Sequence, residues 1–342
     1  MDFPQILGKL CDRRDLCAEE AEFAMSQLMR GSLSPAQAGA FLAALKTKGE
    51  SAGEIGGLAR VMRKHATKIC PKAMPLLDTC GTGGDFSHSF NVSTTSAIIA
   101  SACGIAVAKH GNRSATSKCG SADVLEALGF AIGLAPAATE KMIDETGFGF
   151  LFAPAYHPAM KFAGPVRKEL GIKTVFNLLG PLSNPAGATR QLLGVYDEKL
   201  CEPIALALRG LGTEHALVVH GGGMDEIAVA GETKISELKN GNVQNYSVFP
   251  EEFGFARASA EELMGGDAAQ NAAIIIAILS GEDGGAKRDM ALLNAGAAIY
   301  AGGKSESIAG GVSLAEKSVD SGKALAHLRA VIGKSKELAE AK

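Results

Sequence analysis

Leu76-Leu77-Asp78-Thr79-Cys80-Gly81-Thr82-Gly83-Gly84-Asp85, then Asn91-Val92-Ser93-Thr94 and an apolar run to Cys103, decides the fold. Leu76-Leu77 is a short apolar strand that ends in a glycine-rich turn. The segment Asn91 to Cys103 has helical character, and Ile105 to Ala108 is the next strand. A strand, a glycine turn, a helix and a second strand make a parallel crossover unit, which places this chain in the α/β class. The pattern continues outward. A polar turn from Lys109 to Gly120 leads to a helix opened by Ser121 and closed at Gly129. Further strands are expected at Gly149 to Phe152, Leu192 to Tyr196 and Ala216 to His220, with a helix over Lys199 to Leu211 and a terminal helix over Lys323 to Lys342.

Upstream of Pro71 the pattern is helical only. Ala21, Ala24, Met25, Leu28 and Met29 share one helical face. Ser34-Pro35 caps a helix carrying Phe41, Leu42 and Leu45. Ser51-Ala52-Gly53-Glu54 is a capping box in front of Ile55, Leu58 and Met62. Helices of this size do not bury themselves and need a partner domain or a second subunit. The expected organisation is a small helical domain over 1–70, joined by part of the proline-rich stretch 165–190. A large α/β domain with a central, mostly parallel sheet flanked by helices would occupy 71–342.

Composition narrows the class of function. Across 342 residues, 34 Lys and Arg stand against 37 Asp and Glu, a net charge of -3, which is too acidic for a phosphate-neutralising nucleic-acid binder. Hydrophobic residues at 46% and charged residues at 21% describe a packed globular chain rather than a disordered one. The cysteines Cys11, Cys17, Cys70, Cys80, Cys103, Cys119 and Cys201 are odd in number and never spaced C-x-x-C. Reduced thiols in a cytoplasmic protein are therefore expected, with no disulfide framework or zinc knuckle. Neither a signal peptide nor a membrane span is expected, the longest apolar stretch, Ala97 to Ala108, being too short to cross a bilayer.

The unusual residues gather at three turns that follow apolar strands, where open α/β sheets place their ligands. In the first, Gly81 to Asp85 lets backbone N–H groups approach an anion, and Ser93 and Thr94 add hydroxyl donors at a helix start. It is neither a Walker A loop nor a dinucleotide fingerprint, because Phe86 stands where the third glycine belongs. The second, Lys109 to Ser121, carries three cations, an amide and four hydroxyls, a composition suited to charged oxygens. In the third, His220-Gly221-Gly222-Gly223-Met224-Asp225-Glu226, vicinal carboxylates can hold Mg²⁺ when a ligand supplies phosphate oxygens. Arg167 is a natural bidentate partner for a substrate carboxylate. Each feature alone is an ordinary turn, cap or surface charge. Together they point to a Mg²⁺-dependent enzyme that handles a diphosphorylated small molecule.

These motifs, in this order, resemble the anthranilate phosphoribosyltransferase family. The likeness rests on Asp78 to Asp85, Asn91 to Thr94, Lys109-His110-Gly111-Asn112-Arg113, Gly120 to Gly129 and Asp225-Glu226. It extends to Ser34-Pro35-Ala36-Gln37, Lys48-Gly49-Glu50 and Asn177 to Leu182. The resemblance implies a nucleoside-phosphorylase-like fold and a homodimer formed through the helical domain. It also implies transfer of phosphoribose from 5-phosphoribosyl 1-diphosphate (PRPP) to anthranilate, with Mg²⁺ as cofactor. By position, Gly81, Gly84, Asp85, Ser89, Asn91, Val92, Ser93 and Thr94 would bind PRPP. Lys109, His110, Gly111, Asn112, Arg113, Ser114, Ala115, Thr116, Ser117 and Ser121 would complete that site. Gly81, Asn112, His157 and Arg167 would face anthranilate, while Ser93, Asp225 and Glu226 would hold the metal. Lys109, His110 and Arg167 are the expected catalytic residues. A pyrimidine nucleoside phosphorylase and a nucleic-acid-binding relative are the competing readings; the first would lack the ordered Lys109 to Arg113 and Asp225-Glu226 signature, the second would show a basic face.

Overall fold

The computed structural model describes residues 2–114 and 118–341. Ala115, Thr116 and Ser117, three of the expected PRPP-binding positions, lie outside the described residues. Four helices come first: α1 (Phe3–Cys11), α2 (Ala18–Met29), α3 (Pro35–Lys48) and α4 (Ala52–His65). Their starts follow from local chemistry. The Ser34 side chain accepts the Gln37 N–H beside a proline in the first turn, and the Ser51 side chain accepts the Glu54 N–H.

The α/β part begins with β1 (Leu76–Gly81), α5 (Val92–Ala102), β2 (Ala106–Gly111), α6 (Ser121–Ala127), α7 (Pro136–Thr146) and β3 (Phe148–Phe152). The chain then leaves the sheet through α8 (Ala153–Tyr156), α9 (Met160–Leu170) and α10 (Phe176–Leu182). It returns as β4 (Arg190–Gly194), α11 (Cys201–Gly210) and β5 (His215–Gly221). A hairpin of β6 (Thr233–Lys239) and β7 (Asn242–Val248) follows. Four helices close the domain: α12 (Ala268–Ser280), α13 (Ala286–Ala301), α14 (Ile308–Asp320) and α15 (Lys323–Glu340).

The seven strands lie in the order β3-β2-β1-β4-β5-β6-β7, parallel from β3 to β5 and antiparallel at β6 and β7. The α/β class with a mostly parallel sheet is therefore the observed architecture. The β6–β7 hairpin was not anticipated, although its turn, Asn240-Gly241, has φ of 52° and 77°. Asn-Gly in a doubly left-handed turn is a strong short-range hairpin signal. A second departure matters more for the site. Lys109, His110 and Gly111 do not belong to a loop: they extend β2 by pairing with Phe150, Leu151 and Phe152 of β3. Because strand side chains alternate in direction, Lys109 and His110 point to opposite faces of the sheet.

Alternation also divides the core. Leu77, Val107, Leu192, Leu217 and Val219 face α5 and α13 on one side. Leu193, Val195, Ala216 and Val218 face the other way, into a cluster shared with Leu28, Phe41, Leu42, Ile55 and Leu58 of the N-terminal helices. The four helices thus share a core with α9, α10 and α11, whose inner sides carry Ala163, Leu179 and Ile204. No disulfide bond joins the cysteines of the described residues. No helix among the described residues is long and apolar enough to cross a membrane.

Glu54 ties the helical layer together. Its carboxylate accepts the backbone N–H groups of Leu16 and Ser51 at 2.9 and 2.8 Å and the Lys48 ammonium at 2.8 Å. The Glu54 and Lys48 side chains are 0% and 4% exposed. Without Glu54, Lys48 keeps Asp15 at 2.6 Å, but the buried Leu16 N–H loses its acceptor, at a cost of about 1–3 kcal/mol. Glu54→Ala is therefore expected to lower unfolding free energy by about that amount in urea titrations followed by circular dichroism.

Candidate active site

The sheet changes direction at β1: the chain moves outward through β2 and β3, then resumes on the other side at β4. In such sheets the crevice opens beyond the carboxyl ends of the strands at this switch point. Gly81 ends β1, Gly194 ends β4, and the turn after β5 lies across both. A Cβ on Gly81 would collide with the Asp225 carboxylate, and one on Gly194 with the Asp225 backbone. Absence of side chains at these two strand ends is what lets the Asp225 turn reach the glycine loop. There the Gly83 N–H donates to Asp225 Oδ2 at 2.7 Å, and the Asp225 N–H donates to Asp85 Oδ2 at 3.2 Å.

Crowding of acids follows. Burial first and the neighbouring Asp85 second push the Asp225 carboxyl up to about 7. Burial and Asp225 push Glu226 well above the carboxylate range, against the opposing pull of the Lys109 ammonium. Carboxylates held this close favour a cation between them. Among the described residues no three His, Cys, Asp or Glu side chains gather as a self-contained metal site. Two vicinal hard-oxygen donors with a nearby serine hydroxyl suit Mg²⁺, which keeps water and ligand phosphate in most of its coordination positions.

The helix start at α5 sits behind the glycine loop. Thr94 is wholly buried, and its hydroxyl oxygen has no hydrogen-bond partner among the described residues. An orphaned hydroxyl beside a helix N-terminus is a ready donor for an anionic oxygen. Val92 is buried in the core, whereas Asn91 is engaged: its side chain donates to Cys119 O at 3.3 Å and accepts from Asn271 Nδ2 at 2.9 Å. Ser89 bridges to Met264, and Gly265 donates to His88 O at 2.9 Å. The Met264 to Asn271 segment therefore braces the glycine loop and the α5 start. Sequence reading missed it, although Gly265-Gly266 before an Asp267 helix cap was a visible signal.

Lys109 is 1% exposed, and its ammonium donates to Thr79 O at 2.6 Å and Ser93 Oγ at 3.3 Å. It lies beneath the α5 start, so its charge reaches the crevice through Ser93 and toward Glu226. Arg113 turns outward, paired with Asp123 at 2.9 Å and Glu126 at 2.8 Å. Asp123 also accepts the Ser114 and Gly120 N–H groups at 3.1 and 2.8 Å, closing the base of the loop. Ser121 Oγ donates to Asn112 O at 3.3 Å.

On the opposite face of β2, between strand ends and helical layer, lies a cavity of about 520 Å³. Gly81, Asn112, His110, His157, Arg167 and Phe176 contribute to its wall. The Arg167 guanidinium stacks over the Phe176 ring, 5.0 Å from its centroid, and burial alone lowers its pKa, with no carboxylate acting on it. An unneutralised guanidinium in a largely apolar cavity is suited to a small aromatic carboxylate. The cavity's Cys80 thiol is pushed well up by burial, so it stays protonated and is no nucleophile.

His110 and His157 meet at this wall. His110 Nδ1 lies 3.2 Å from Gly180 O, and the two Nε2 atoms are 3.2 Å apart. A carbonyl only accepts, so His110 carries its proton on Nδ1 and its Nε2 accepts from His157 Nε2–H. Burial, then His157, lowers His110 to about 3, and burial lowers His157 to about 4. Both rings are neutral near pH 7.

Two domain patterns of the glycosyl transferase family match the chain: the helical bundle domain over residues 4–66 and the a/b domain over residues 73–325. Fold and site thus define a glycosyl transferase. An anthranilate phosphoribosyltransferase of Methanocorpusculum labreanum is 54% identical over 329 residues, 96% of each chain. The crystal structure of the Thermus thermophilus anthranilate phosphoribosyltransferase superposes with a TM-score of 0.92 at 45% identity, covering 97% of this chain and 99% of that one. The Saccharomyces cerevisiae enzyme in complex with PRPP and Mg has a TM-score of 0.89 at 27% identity, covering 98% of both. The chain belongs to the anthranilate phosphoribosyltransferase family.

The neutral histidine pair has a thermodynamic signature. An unfolded histidine binds a proton below about pH 6.5, whereas these rings resist protonation until about 4 and about 3. Between those limits the unfolded state holds more protons, so acidification from pH 7 to 5 removes stability. The loss is on the order of 2 kcal/mol per histidine, about 4 kcal/mol for the pair, at 1.36 kcal/mol per pKa unit. A His110→Gln, His157→Gln double variant should lose correspondingly less over the same range in urea unfolding.

Proposed function

We propose that the protein transfers the 5-phosphoribosyl group of PRPP to the amino group of anthranilate, releasing diphosphate and using Mg²⁺. One observation carries the substrate assignment: the lone Arg167 guanidinium in an apolar cavity that adjoins, through Gly81, the glycine loop and its carboxylates.

In the reaction the anomeric C–O bond of ribose breaks and its electron pair leaves with diphosphate. The anthranilate nitrogen forms the new C–N bond with its lone pair and gives up a proton. The aromatic amine is neutral near pH 7, so no strong base is needed to free that lone pair, and two neutral histidines suit such a site. Backbone N–H groups of the Gly81 to Asp85 loop and the α5 start, with the Thr94 hydroxyl, stabilise the departing negative charge. Lys109 fixes Ser93 from below and adds positive field. Arg167 holds the carboxylate, and Asn112 orients the amine or ring. Asp225, Glu226 and Ser93 would hold Mg²⁺, which supplies charge neutralisation for diphosphate when bound. The Arg113 pairing with Asp123 and Glu126 must open for that side chain to meet phosphate.

A homodimer through the helical layer is part of the same reading; the exposed Phe162 of α9 and the exposed Ile172 just beyond it support it, at 40% and 51% exposure. Cysteines without a disulfide among the described residues support residence in a reducing compartment, the cytoplasm.

Loss of anthranilate fluorescence on mixing with PRPP and Mg²⁺ tests the activity directly; a silent wild-type protein sinks the proposal. Arg167→Ala removes a charged hydrogen-bonding partner worth about 1.5–3 kcal/mol. It is expected to raise the anthranilate KM by about 10- to 100-fold with little change in the PRPP KM. The Asp225→Asn, Glu226→Gln double variant should lower kcat by about a hundredfold or more; wild-type turnover across a Mg²⁺ titration would remove both from the metal site.

A further inference from the structure

Lys173 lies on the connection between α9 and α10, where the chain leaves the helical layer and returns to the sheet. Its ammonium donates to Gly84 O at 2.5 Å, inside the glycine loop. The same nitrogen stands 4.0 Å from the centroid of the Tyr196 ring and 5.0 Å from that of Phe86. Among the described residues no carboxylate lies within ion-pair distance of it. The charge is compensated only by one carbonyl and two ring faces, the arrangement of a cation without its anion.

The loop that it touches is strained. Phe86 and His88 have φ of 61° and 54°, left-handed values that side-chain-bearing residues rarely adopt, and Phe86 is 67% exposed. Gly83 and Gly84 are left-handed as well, and a Cβ on Gly84 would come within 3.0 Å of Lys173 Cε. The loop closes a small cavity of about 130 Å³ with Asp85, Ser89 and Asp225 on its wall. Its own donors are partly spent: the Gly83 N–H on Asp225 and the Ser87 N–H on Asp85, at 2.7 and 3.2 Å.

We propose that Lys173 is a further diphosphate-binding residue: an ammonium parked on Gly84 O between two aromatic faces, which passes its charge to the diphosphate of PRPP. This inference rests on the proposed function. An ammonium has three N–H donors, and one is committed to the carbonyl; the others are available to phosphate oxygens at the loop.

The test is titration calorimetry of the intact protein with inorganic diphosphate in Mg²⁺ buffer, at two ionic strengths, for wild type, Lys173→Met and Lys173→Arg. Loss of a charge-assisted contact should raise the Kd of Lys173→Met about tenfold or more and flatten its salt dependence. Lys173→Arg keeps the charge and the ring stacking, so it should bind within about threefold of wild type. Melting temperatures of all three should agree. Wild-type affinity in Lys173→Met overturns the proposal and leaves the function intact. A loss that Lys173→Arg does not restore, accompanied by a lowered melting temperature, assigns Lys173 a structural role and overturns it too. Wild-type protein that binds no diphosphate sinks the proposed function, and this inference with it.

Discussion

The site depends on one contact: the Asp225 turn lying across the ends of β1 and β4, with its carboxylate bound by the Gly83 N–H. Three segments far apart in sequence share this point, and any side chain at Gly81 or Gly194 would occupy it. The contact sets the spacing between the glycine loop and the acidic pair. It also concentrates negative charge beside the glycine loop, a state that is favourable only when a cation joins it. The raised proton affinity of Asp225 and Glu226 is the electrostatic expression of that requirement.

The second constraint is the division of β2. Lys109 and His110 are neighbours in sequence yet serve opposite sides of the sheet. Lys109 stiffens the glycine-loop side through Thr79 and Ser93, while His110 builds the wall of the apolar cavity with His157 and Gly180. A buried ammonium and a buried neutral imidazole thus stand one residue apart without sharing a pocket. The helical layer completes the cavity by presenting Arg167 over Phe176, so one rigid strand end borders both the glycine loop and the cavity while the second wall comes from elements that pack as a separate layer.

Much of this was legible in the chain. Strand-turn-helix alternation from Leu76 onward gave the α/β class, because hydrophobic periodicity and glycine turns are local properties. The caps at Ser34 and Ser51 were legible for the same reason. Misreadings came where pairing or distance decides. Polar Lys109 and His110 read as a loop, and only their ladder with Phe150 and Leu151 makes them strand. The pairing of Arg113 with two acids of the next helix likewise shows only in three dimensions. Gly265-Gly266 before the Asp267 cap marked a turn, but nothing local told that Met264 and Asn271 brace Ser89 and Asn91.

By itself the sequence determined the parallel α/β architecture, the helical N-terminal layer and the residue types available for diphosphate, metal and carboxylate. These follow from side-chain chemistry and from periodicities of two and 3.6 residues, which any short window displays. Tertiary structure alone decided which groups meet: Asp225 with Gly83, His110 with His157, Lys173 with Gly84. Those encounters span intervals from 47 to 142 residues. They are fixed by sheet order and by the missing side chains that permit close approach, neither of which any local stretch encodes.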